Sequence, residues 1–210
     1  MVNKATERRI GVLGGTFDPV HTGHLLIAQK SKELLELDEV IFIPAGQPVF
    51  KSDIEISAAQ HRLEMLLIAT SETPYFNVST IEIERPGPSY TVDTLVELEA
   101  GFDRKTEVYL LVGYDAIIEL PSWKEPARLV ELCYLVAVKR PGFDEVDVKS
   151  LEEKIPGISD RIIYLNAPCI DISSTEIRTR VEQGMAVGGL VPDSVEHYIA
   201  ENGLYLKGAQ

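Results

Sequence analysis

Short runs of apolar residues recur along the chain and alternate with helical patterns. The runs are continuous rather than alternating with polar residues, which is typical of strands that are covered on both faces. Five strands are predicted, at residues 10–13, 40–43, 108–112, 133–138 and 161–165. A further strand is predicted at residues 76–84, at an edge of the sheet. Amphipathic helices are predicted at residues 23–37, 58–70, 91–99, 126–132, 174–183 and 193–202, with one more short helix in the acidic segment 142–160.

Strand and helix alternate along the whole chain, and this order predicts an α/β fold with a doubly wound parallel sheet of Rossmann type. A length of 210 residues favours a single domain that spans residues 1–210. Ligands of such folds bind outside the carboxyl ends of the strands. The residues that directly follow each strand are therefore the first candidates for chemistry.

Charge and cysteine content exclude several classes of protein. The net charge is −13, from 20 basic and 33 acidic residues, so the chain lacks the broad basic face that binds nucleic acid. A small polyanion can still bind in a local pocket. Two isolated cysteines exclude a disulfide scaffold and a cysteine-based zinc site. The longest apolar run has seven residues, so we expect no membrane contact and a cytoplasmic enzyme; the sequence leaves open whether it forms a homo-oligomer.

The loop after the first predicted strand is rich in glycine and leads into a helix. Gly14 and Gly15 allow a ligand to approach the backbone closely, and the helix N-terminus that follows favours anions. The loop has neither the Lys-Ser/Thr pair of a P-loop nor the G-x-G-x-x-G spacing. It therefore indicates an anion site of another kind.

Two histidines distinguish this loop. His21 and His24 are three residues apart, which places them on one face of a helical turn. A zinc site needs at least three protein ligands, and no third ligand stands at a suitable spacing, so we predict no protein metal site. Donors to phosphate oxygens are favoured, and an ordinary helix cap remains the alternative.

A second candidate site lies near the other end of the chain. Ser173 and Glu176 have the spacing of a capping box, which marks a helix N-terminus whose N–H groups can hold phosphate. Arg178 follows within the first turns of that helix. Taken alone, this pattern is more often an ordinary capped helix with an arginine on its solvated face.

Together the two segments resemble a known superfamily. The first, Gly14-Gly15-Thr16-Phe17-Asp18-Pro19-Val20-His21-Thr22-Gly23-His24, resembles the first signature of the nucleotidyltransferases, and Ile172-Ser173-Ser174-Thr175-Glu176-Ile177-Arg178 resembles the second. Between them, Ser89-Tyr90-Thr91-Val92-Asp93-Thr94-Leu95 and Pro121-Ser122-Trp123 are similar to bacterial nicotinate mononucleotide adenylyltransferases. The resemblance covers nearly the whole chain.

The resemblance implies a reaction and a set of site residues. ATP and nicotinate mononucleotide would give nicotinate adenine dinucleotide and pyrophosphate, a step of NAD biosynthesis, with Mg²⁺ arriving with ATP. His21, His24 and Arg178 would be catalytic. ATP would be bound by these three and by Gly14, Gly15, Thr16, Phe17, Gly113, Asp115, Ile172, Ser173, Ser174 and Thr175. Nicotinate mononucleotide would be bound by Lys51, Ser89, Tyr90, Thr91, Trp123 and Arg140.

Some parts of the family pattern are weaker here. The family typically reads Pro-Pro-His-Lys after the second strand, whereas this chain reads Gln47-Pro48-Val49-Phe50-Lys51, so the role of Lys51 rests on the lysine and one proline. From sequence alone, Asp115 could equally start a helix and Arg140 could equally belong to a solvated basic turn.

Two rival functions remain. Phosphopantetheine adenylyltransferases belong to the same superfamily, but they are shorter and lack the Ser-Tyr-Thr and Pro-x-Trp features. A non-catalytic nucleotide sensor on the same fold would be favoured by loss of either histidine or of the arginine, and all three are present.

Overall fold

A computed structural model describes residues 8–48, 56–102, 105–138, 147–165 and 172–206. Within this part of the chain, six parallel strands form one sheet in the order β3-β2-β1-β4-β5-β6. The strands are β1 (Arg8–Gly15), β2 (Glu39–Pro44), β3 (Phe76–Val78), β4 (Thr106–Gly113), β5 (Tyr134–Val138) and β6 (Ile162–Leu165). The six predicted strands are confirmed, but β3 at the edge covers only the first three residues of the predicted segment 76–84, because residues 81–84 form a short helix.

The helices agree with the pattern of apolar positions to within a few residues. They are α1 (Thr22–Leu34), α2 (Ala59–Thr70), α3 (Ile81–Glu84), α4 (Thr91–Ala100), α5 (Tyr114–Glu119), α6 (Pro126–Leu132), α7 (Val148–Lys154), α8 (Ser174–Glu182) and α9 (Asp193–Glu201). Two single-turn 3-10 helices occupy Leu120–Ser122 and Ile158–Asp160. The short helices α3 and α5 were not predicted, because fewer than two turns give no helical periodicity. In the described ranges no helix has both the length and the apolarity to cross a membrane.

The helices cover both faces of the sheet, and the strands are buried accordingly. Alternate residues of β1 enter different cores: Val12 packs on one side and Leu13 on the other. The core on the Leu13 side receives buried residues from α1, α2, α8 and α9. The core on the Val12 side receives them from α4, α5, α6 and α7. This confirms the doubly wound α/β fold and explains the continuous apolar runs of the strands.

The winding of the chain reverses between β1 and β4. β1 lies at the centre of the sheet and pairs in parallel with β2 on one side and with β4 on the other. Loops that leave the carboxyl ends of these two strands diverge toward opposite faces, and a crevice forms between them. Gly15 and Gly113 end the two strands, so the loop of the first signature and the turn that carries Asp115 both start at this crevice.

One wall of the crevice depends on a glycine. A side chain on Gly46, which follows β2, would overlap the backbone carbonyl of Glu82 in α3. The loop after β2 therefore lies directly against α3, where a side chain larger than hydrogen cannot fit.

Candidate active site

The two predicted catalytic histidines lie at the start of α1 and contact one another. His21 is the N-cap residue, and its backbone N–H donates to Nδ1 of His24 at 3.2 Å. The two imidazole rings stack with their centroids 3.6 Å apart. Because Nδ1 of His24 accepts a hydrogen bond, the neutral ring carries its proton on Nε2. His24 thus caps the helix with one nitrogen and can donate from the other, so the helix-cap interpretation and the donor interpretation are compatible.

Phe17 fixes the position of His24 from the other side. Its side chain is buried in the core, and its ring lies edge-on to the His24 imidazole at 4.9 Å between centroids. Since the Phe17 ring is committed to the core, its backbone is the part that can contact a ligand. The same holds for Ile172, whose side chain is buried beside Ile177 in the core below α8.

The second motif is docked onto the loop of the first by hydrogen bonds to two successive carbonyls. Ser174 Oγ donates to the carbonyl of Pro19 at 2.9 Å, and Arg178 Nη1 donates to the carbonyl of Asp18 at 2.7 Å. Arg178 Nη2 also donates to Thr175 Oγ1 at 3.3 Å. These bonds orient the guanidinium across the gap between α8 and the loop of residues 16–21, called the histidine loop below. Residues far apart in sequence are thereby brought together.

The predicted capping box at the start of α8 is confirmed in its first half. Ser173 Oγ accepts a hydrogen bond from the backbone N–H of Glu176 at 3.1 Å. The N–H groups of the first turn have no partner within a helix, so those of Ser174 and Thr175 point out of its N-terminus. A helix N-terminus of this kind attracts an anion through both its N–H groups and its dipole.

A cleft of about 720 Å³ lies at the carboxyl edge of the sheet, beside this motif pair. It brings residues predicted for ATP together with residues predicted for the mononucleotide: Gly14, Gly15, Thr16, Ser89, Tyr90, Thr91 and Trp123. Its lining also includes Pro48, Glu82, Thr94 and Lys124, which were not predicted as site residues.

Ser89 holds two parts of the cleft wall together. Its Oγ accepts hydrogen bonds from the backbone N–H groups of Gly46 at 3.0 Å and Gln47 at 3.2 Å. With both lone pairs used, the Ser89 hydroxyl keeps its proton as a donor at the cleft surface. Ser89 is thus both a structural acceptor and a candidate ligand donor.

The N-terminus of α4 opens onto the same cleft. Tyr90 is its N-cap residue and Thr91 its first residue, so the N–H groups of the first turn are available to a ligand. Asp93 lies in this turn and would oppose an anion, but Lys124 Nζ lies 2.8 Å from its carboxylate and balances the charge. Lys124 also lies over the Tyr90 ring, 4.9 Å from its centroid. The helix start can therefore accept a carboxylate in spite of Asp93.

Trp123 presents a ring to the cleft without being anchored by a hydrogen bond. It is partly buried and packs with Tyr90 against the core on the Val12 side of the sheet. Its indole N–H is buried and has no partner among the described residues. Packing rather than hydrogen bonding holds the ring, and an aromatic face is what it offers a ligand.

Gly113 and Asp115 lie at the carboxyl end of β4, next to β1, but they are not part of the cleft lining. Asp115 is in the first turn of α5, and its carboxylate folds back over Gly113, where a Cβ would collide with it. Gly113 therefore makes room for the Asp115 side chain. Lys51 and Arg140 lie outside the described residues.

Three polar residues that contact the cleft or the histidine loop were not predicted from the sequence. Glu82 is buried at the cleft and accepts a hydrogen bond from Thr94 Oγ1 at 2.7 Å. Arg62 and Tyr205 contact the histidine loop from α2 and from the segment after α9. A charged residue on the apolar face of α2 was a usable signal for Arg62, whereas no local pattern marks Tyr205.

The polar groups that His21, His24, Arg178 and the N-terminus of α8 present to one another are N–H and hydroxyl groups rather than carboxylates. Across the described ranges, no three His, Cys, Asp or Glu side chains gather in an arrangement that could hold a metal ion. The carboxylate of Asp18, inside the histidine loop, is already bonded at both oxygens. The described part of the site thus suits a polyanion and offers no protein cage for a cation.

Comparison with known proteins identifies the family. A family model described as Cytidylyltransferase-like matches residues 12–180. A protein of Dehalococcoides mccartyi named "Probable nicotinate-nucleotide adenylyltransferase" is 49% identical over 197 residues, which are 94% of this chain and 97% of that protein. A protein of the same name from Thermomicrobium roseum is 44% identical over 197 residues, 94% of this chain and 91% of that one. The chain belongs to the nicotinate-nucleotide adenylyltransferase family.

A solved structure supports the fold of this adenylyltransferase. The Plasmodium falciparum nicotinic acid mononucleotide adenylyltransferase complexed with NaAD superposes with a TM-score of 0.74 at 22% identity, over 95% of this chain and 98% of that one. The family and the fold class expected from the two motifs are both confirmed.

The double role of His24 leads to a prediction about stability. His24→Ala removes the acceptor of the His21 N–H, and losing such a cap costs about 0.5–2 kcal/mol. Tm should fall by about 2–4 °C for each kcal/mol in a chain of this size. His24→Asn offers an amide oxygen near the position of Nδ1, so its Tm should stay closer to that of the wild type. Equal losses of Tm in the two variants, measured by calorimetry, would show that the cap contributes nothing.

Proposed function

We propose how this chain, as a nicotinate-nucleotide adenylyltransferase, joins ATP and nicotinate mononucleotide to form nicotinate adenine dinucleotide and pyrophosphate. The observation that carries the proposal is the docking of Ser174 and Arg178 onto the loop that ends at His21, beside the cleft lined by Ser89, Tyr90 and Trp123. A phosphate-binding region and a pocket for a flat, acidic ring thus adjoin one another. In-line transfer between two bound substrates needs this arrangement.

The triphosphate is placed between the two motifs. His24 donates from Nε2, the N-terminus of α8 donates from Ser174 and Thr175, and Arg178 supplies a positive charge. His21 assists from its stacked position, and Gly14, Gly15, Thr16 and the backbone of Phe17 pass close beneath. Gly113 and Asp115 take the ribose, whose hydroxyls can donate to a carboxylate.

The mononucleotide is placed in the cleft. The nicotinate carboxylate accepts hydrogen bonds from the first turn of α4 and from the Ser89 hydroxyl, with Tyr90 and Thr91 at its sides. The positively charged pyridine ring stacks on Trp123. The family resemblance adds Lys51 and Arg140 as ligands of the mononucleotide phosphate.

The chemistry is a single displacement. A phosphate oxygen of the mononucleotide attacks the α-phosphorus of ATP, a new P–O bond forms, and the bond to the β-phosphate breaks as pyrophosphate leaves. No protein nucleophile is required, so the enzyme acts through positioning and through donors aimed at charge that grows in the transition state. His24 supplies such a donor at the α-phosphate, and Arg178 with the α8 N-terminus stabilises the leaving pyrophosphate.

Nucleotidyltransferases of this kind generally use a divalent metal ion. We propose Mg²⁺, entering with ATP and bound by its phosphate oxygens, since Mg²⁺ is commonly held through substrate phosphates rather than by an all-protein cage. Such an ion would neutralise charge on the triphosphate. The described donor set, which is rich in N–H groups, fits a triphosphate that brings its own cation.

The substrate preference tests the proposal as a whole. With ATP and Mg²⁺, nicotinate mononucleotide should give a higher kcat/KM than nicotinamide mononucleotide, because a neutral amide gains less from the α4 dipole and directs its own N–H groups at donors. Phosphopantetheine should give no pyrophosphate. Equal kcat/KM for the acid and the amide would contradict the assignment of the Ser89–Thr91 segment. Turnover of phosphopantetheine, with none of either mononucleotide, would instead favour the phosphopantetheine adenylyltransferase function.

His24→Asn separates catalysis from helix capping. The variant keeps an acceptor for the His21 N–H and loses the Nε2 donor. We expect kcat to fall by about 10²–10³-fold, the usual cost of one transition-state donor, with little change in the KM for nicotinate mononucleotide. Steady-state kinetics with pyrophosphate detection measures both. A variant that keeps the wild-type kcat at saturating substrate would remove His24 from the catalytic step.

Trp123 is the single tryptophan of the chain, so its emission reports on this site without background. Nicotinate mononucleotide should quench it, and ATP alone should do so much less. Stacking on an aromatic side chain is typically worth about 1–3 kcal/mol, so Trp123→Ala should raise the KM for the mononucleotide roughly 10- to 100-fold. Trp123→Phe, which keeps a smaller ring, is the matched variant and should lie between. Unchanged emission at saturation in active enzyme would return Trp123 to a packing role.

A further inference from the structure

The carboxylate of Asp18 is buried inside the histidine loop, with only 3% of the residue exposed. Its Oδ1 accepts a hydrogen bond from the Tyr205 hydroxyl at 2.8 Å, and its Oδ2 accepts one from the backbone N–H of Ser57 at 3.2 Å. A buried carboxylate is stable only when it is paired and hydrogen-bonded. These two contacts therefore determine where the side chain of Asp18, and the backbone attached to it, can lie.

The same residue supports Arg178 through its backbone. The Asp18 carbonyl accepts the 2.7 Å hydrogen bond from Nη1, so any shift of Asp18 moves the acceptor that orients the guanidinium. His21 lies three residues further along the loop. A displacement of Asp18 would therefore move both Arg178, which is proposed to bind ATP, and the loop that carries His21.

Arg62 supplies the opposite charge behind the loop. It is 2% exposed and donates from Nη1 to the carbonyl of Thr16 at 2.9 Å and from Nε to the carbonyl of Ser57 at 3.0 Å. Burial lowers the pKa of Arg62, and the negative charge of Asp18 opposes that shift. The two buried charges stabilise one another. Arg62 holds the loop before Phe17, at Thr16, and the contacts of Asp18 hold it after Phe17.

Tyr205 belongs to the segment that follows α9, far from the loop in sequence. Burial, and then the negative charge of Asp18, raise the pKa of Tyr205 above its ordinary value, so its hydroxyl stays protonated and donates. Its backbone has φ of +67°, which is uncommon for a residue other than glycine. Such a conformation costs energy and persists where surrounding contacts hold it.

We propose that Tyr205 is a positioning residue for adenylyl transfer: its hydroxyl holds Asp18, and Asp18 in turn holds the loop that carries His21 and anchors Arg178. Tyr205 touches no substrate in this scheme. The proposal rests on the function proposed above, because it assigns Tyr205 a part in that reaction. The effect should appear in kcat, since the residues assigned to the mononucleotide belong to the cleft and not to this network.

Tyr205→Phe tests the proposal, because it keeps the ring and removes only the hydroxyl. Tyr198→Phe is the matched control: Tyr198 also joins the C-terminal region to α2, through a 2.9 Å hydrogen bond between its hydroxyl and His61 Nδ1, and this hydroxyl bonds to His61 rather than to Asp18. At a temperature well below both Tm values, Tyr205→Phe should lower kcat at least about tenfold, as expected for losing a hydrogen bond to a charged group. Its KM for nicotinate mononucleotide should stay within about twofold of the wild type, and Tyr198→Phe should keep the wild-type kcat.

Asp18→Asn is a second variant that tests the same network, and its result does not require that Tyr205→Phe folds. The amide oxygen can still accept the Tyr205 hydroxyl, but the side chain loses its charge and turns an N–H group toward that of Ser57. We expect the same fall in kcat at unchanged mononucleotide KM. In the double variant, the Tyr205→Phe change should cost less than it does in the wild type, because interacting residues are not additive.

The outcomes separate the two proposals. Wild-type enzyme that makes no dinucleotide from ATP and nicotinate mononucleotide would overturn the proposed function. Active wild type with a Tyr205→Phe variant of unchanged kcat, or with a loss of kcat matched by Tyr198→Phe, would overturn the positioning role alone. Additive effects of Asp18→Asn and Tyr205→Phe on kcat would also count against it.

Discussion

Two successive backbone carbonyls, those of Asp18 and Pro19, join the two halves of the candidate active site. They accept hydrogen bonds from Arg178 and Ser174. These bonds join the loop after the central strand to helix α8, whose first residue, Ser174, lies 155 positions after Pro19. Backbone carbonyls move only when the loop itself moves. The relative position of the two motifs is therefore as rigid as the core on which each rests, through Phe17 on one side and Ile177 on the other.

The site also explains how a strongly acidic chain can handle acidic substrates. The net charge of −13 describes the chain as a whole, whereas the proposed binding region uses groups whose polarity does not depend on net charge. Helix N-termini at α4 and α8 supply partial positive charge, and Arg178 adds a full one. The acidic Asp93 in the first turn of α4 is offset by Lys124, so local pairing overrides the global balance.

The sequence predicted the fold well because the signals for a doubly wound sheet are local. Continuous apolar runs predicted the strands, and the loop after β1 indicated where the proposed phosphate region begins. The contacts that hold the site could not be predicted from the sequence. They are the hydrogen bonds of two N–H groups to Ser89, the ion pair of Lys124 with Asp93, and the hydrogen bond of Tyr205 to Asp18. Each joins residues whose partners are distant in sequence, and no periodicity encodes such a pair. The short helix α5 was missed for a different reason, because a helix of six residues has too few turns for a pattern.

The separation of Asp18 and Tyr205 has a consequence for synthesis on the ribosome. The two residues are 187 positions apart, so at bacterial and eukaryotic elongation rates of about 5–20 residues per second the loop waits roughly 10–40 s for its partner. All six strands precede Tyr205 in the chain, and until Tyr205 is synthesised the Asp18 carboxylate lacks one of its two donors. The nascent chain therefore contains every strand of the sheet before the contact between Tyr205 and Asp18 can form, so the proposed nucleotide-binding loop receives this contact after the rest of the fold has been synthesised.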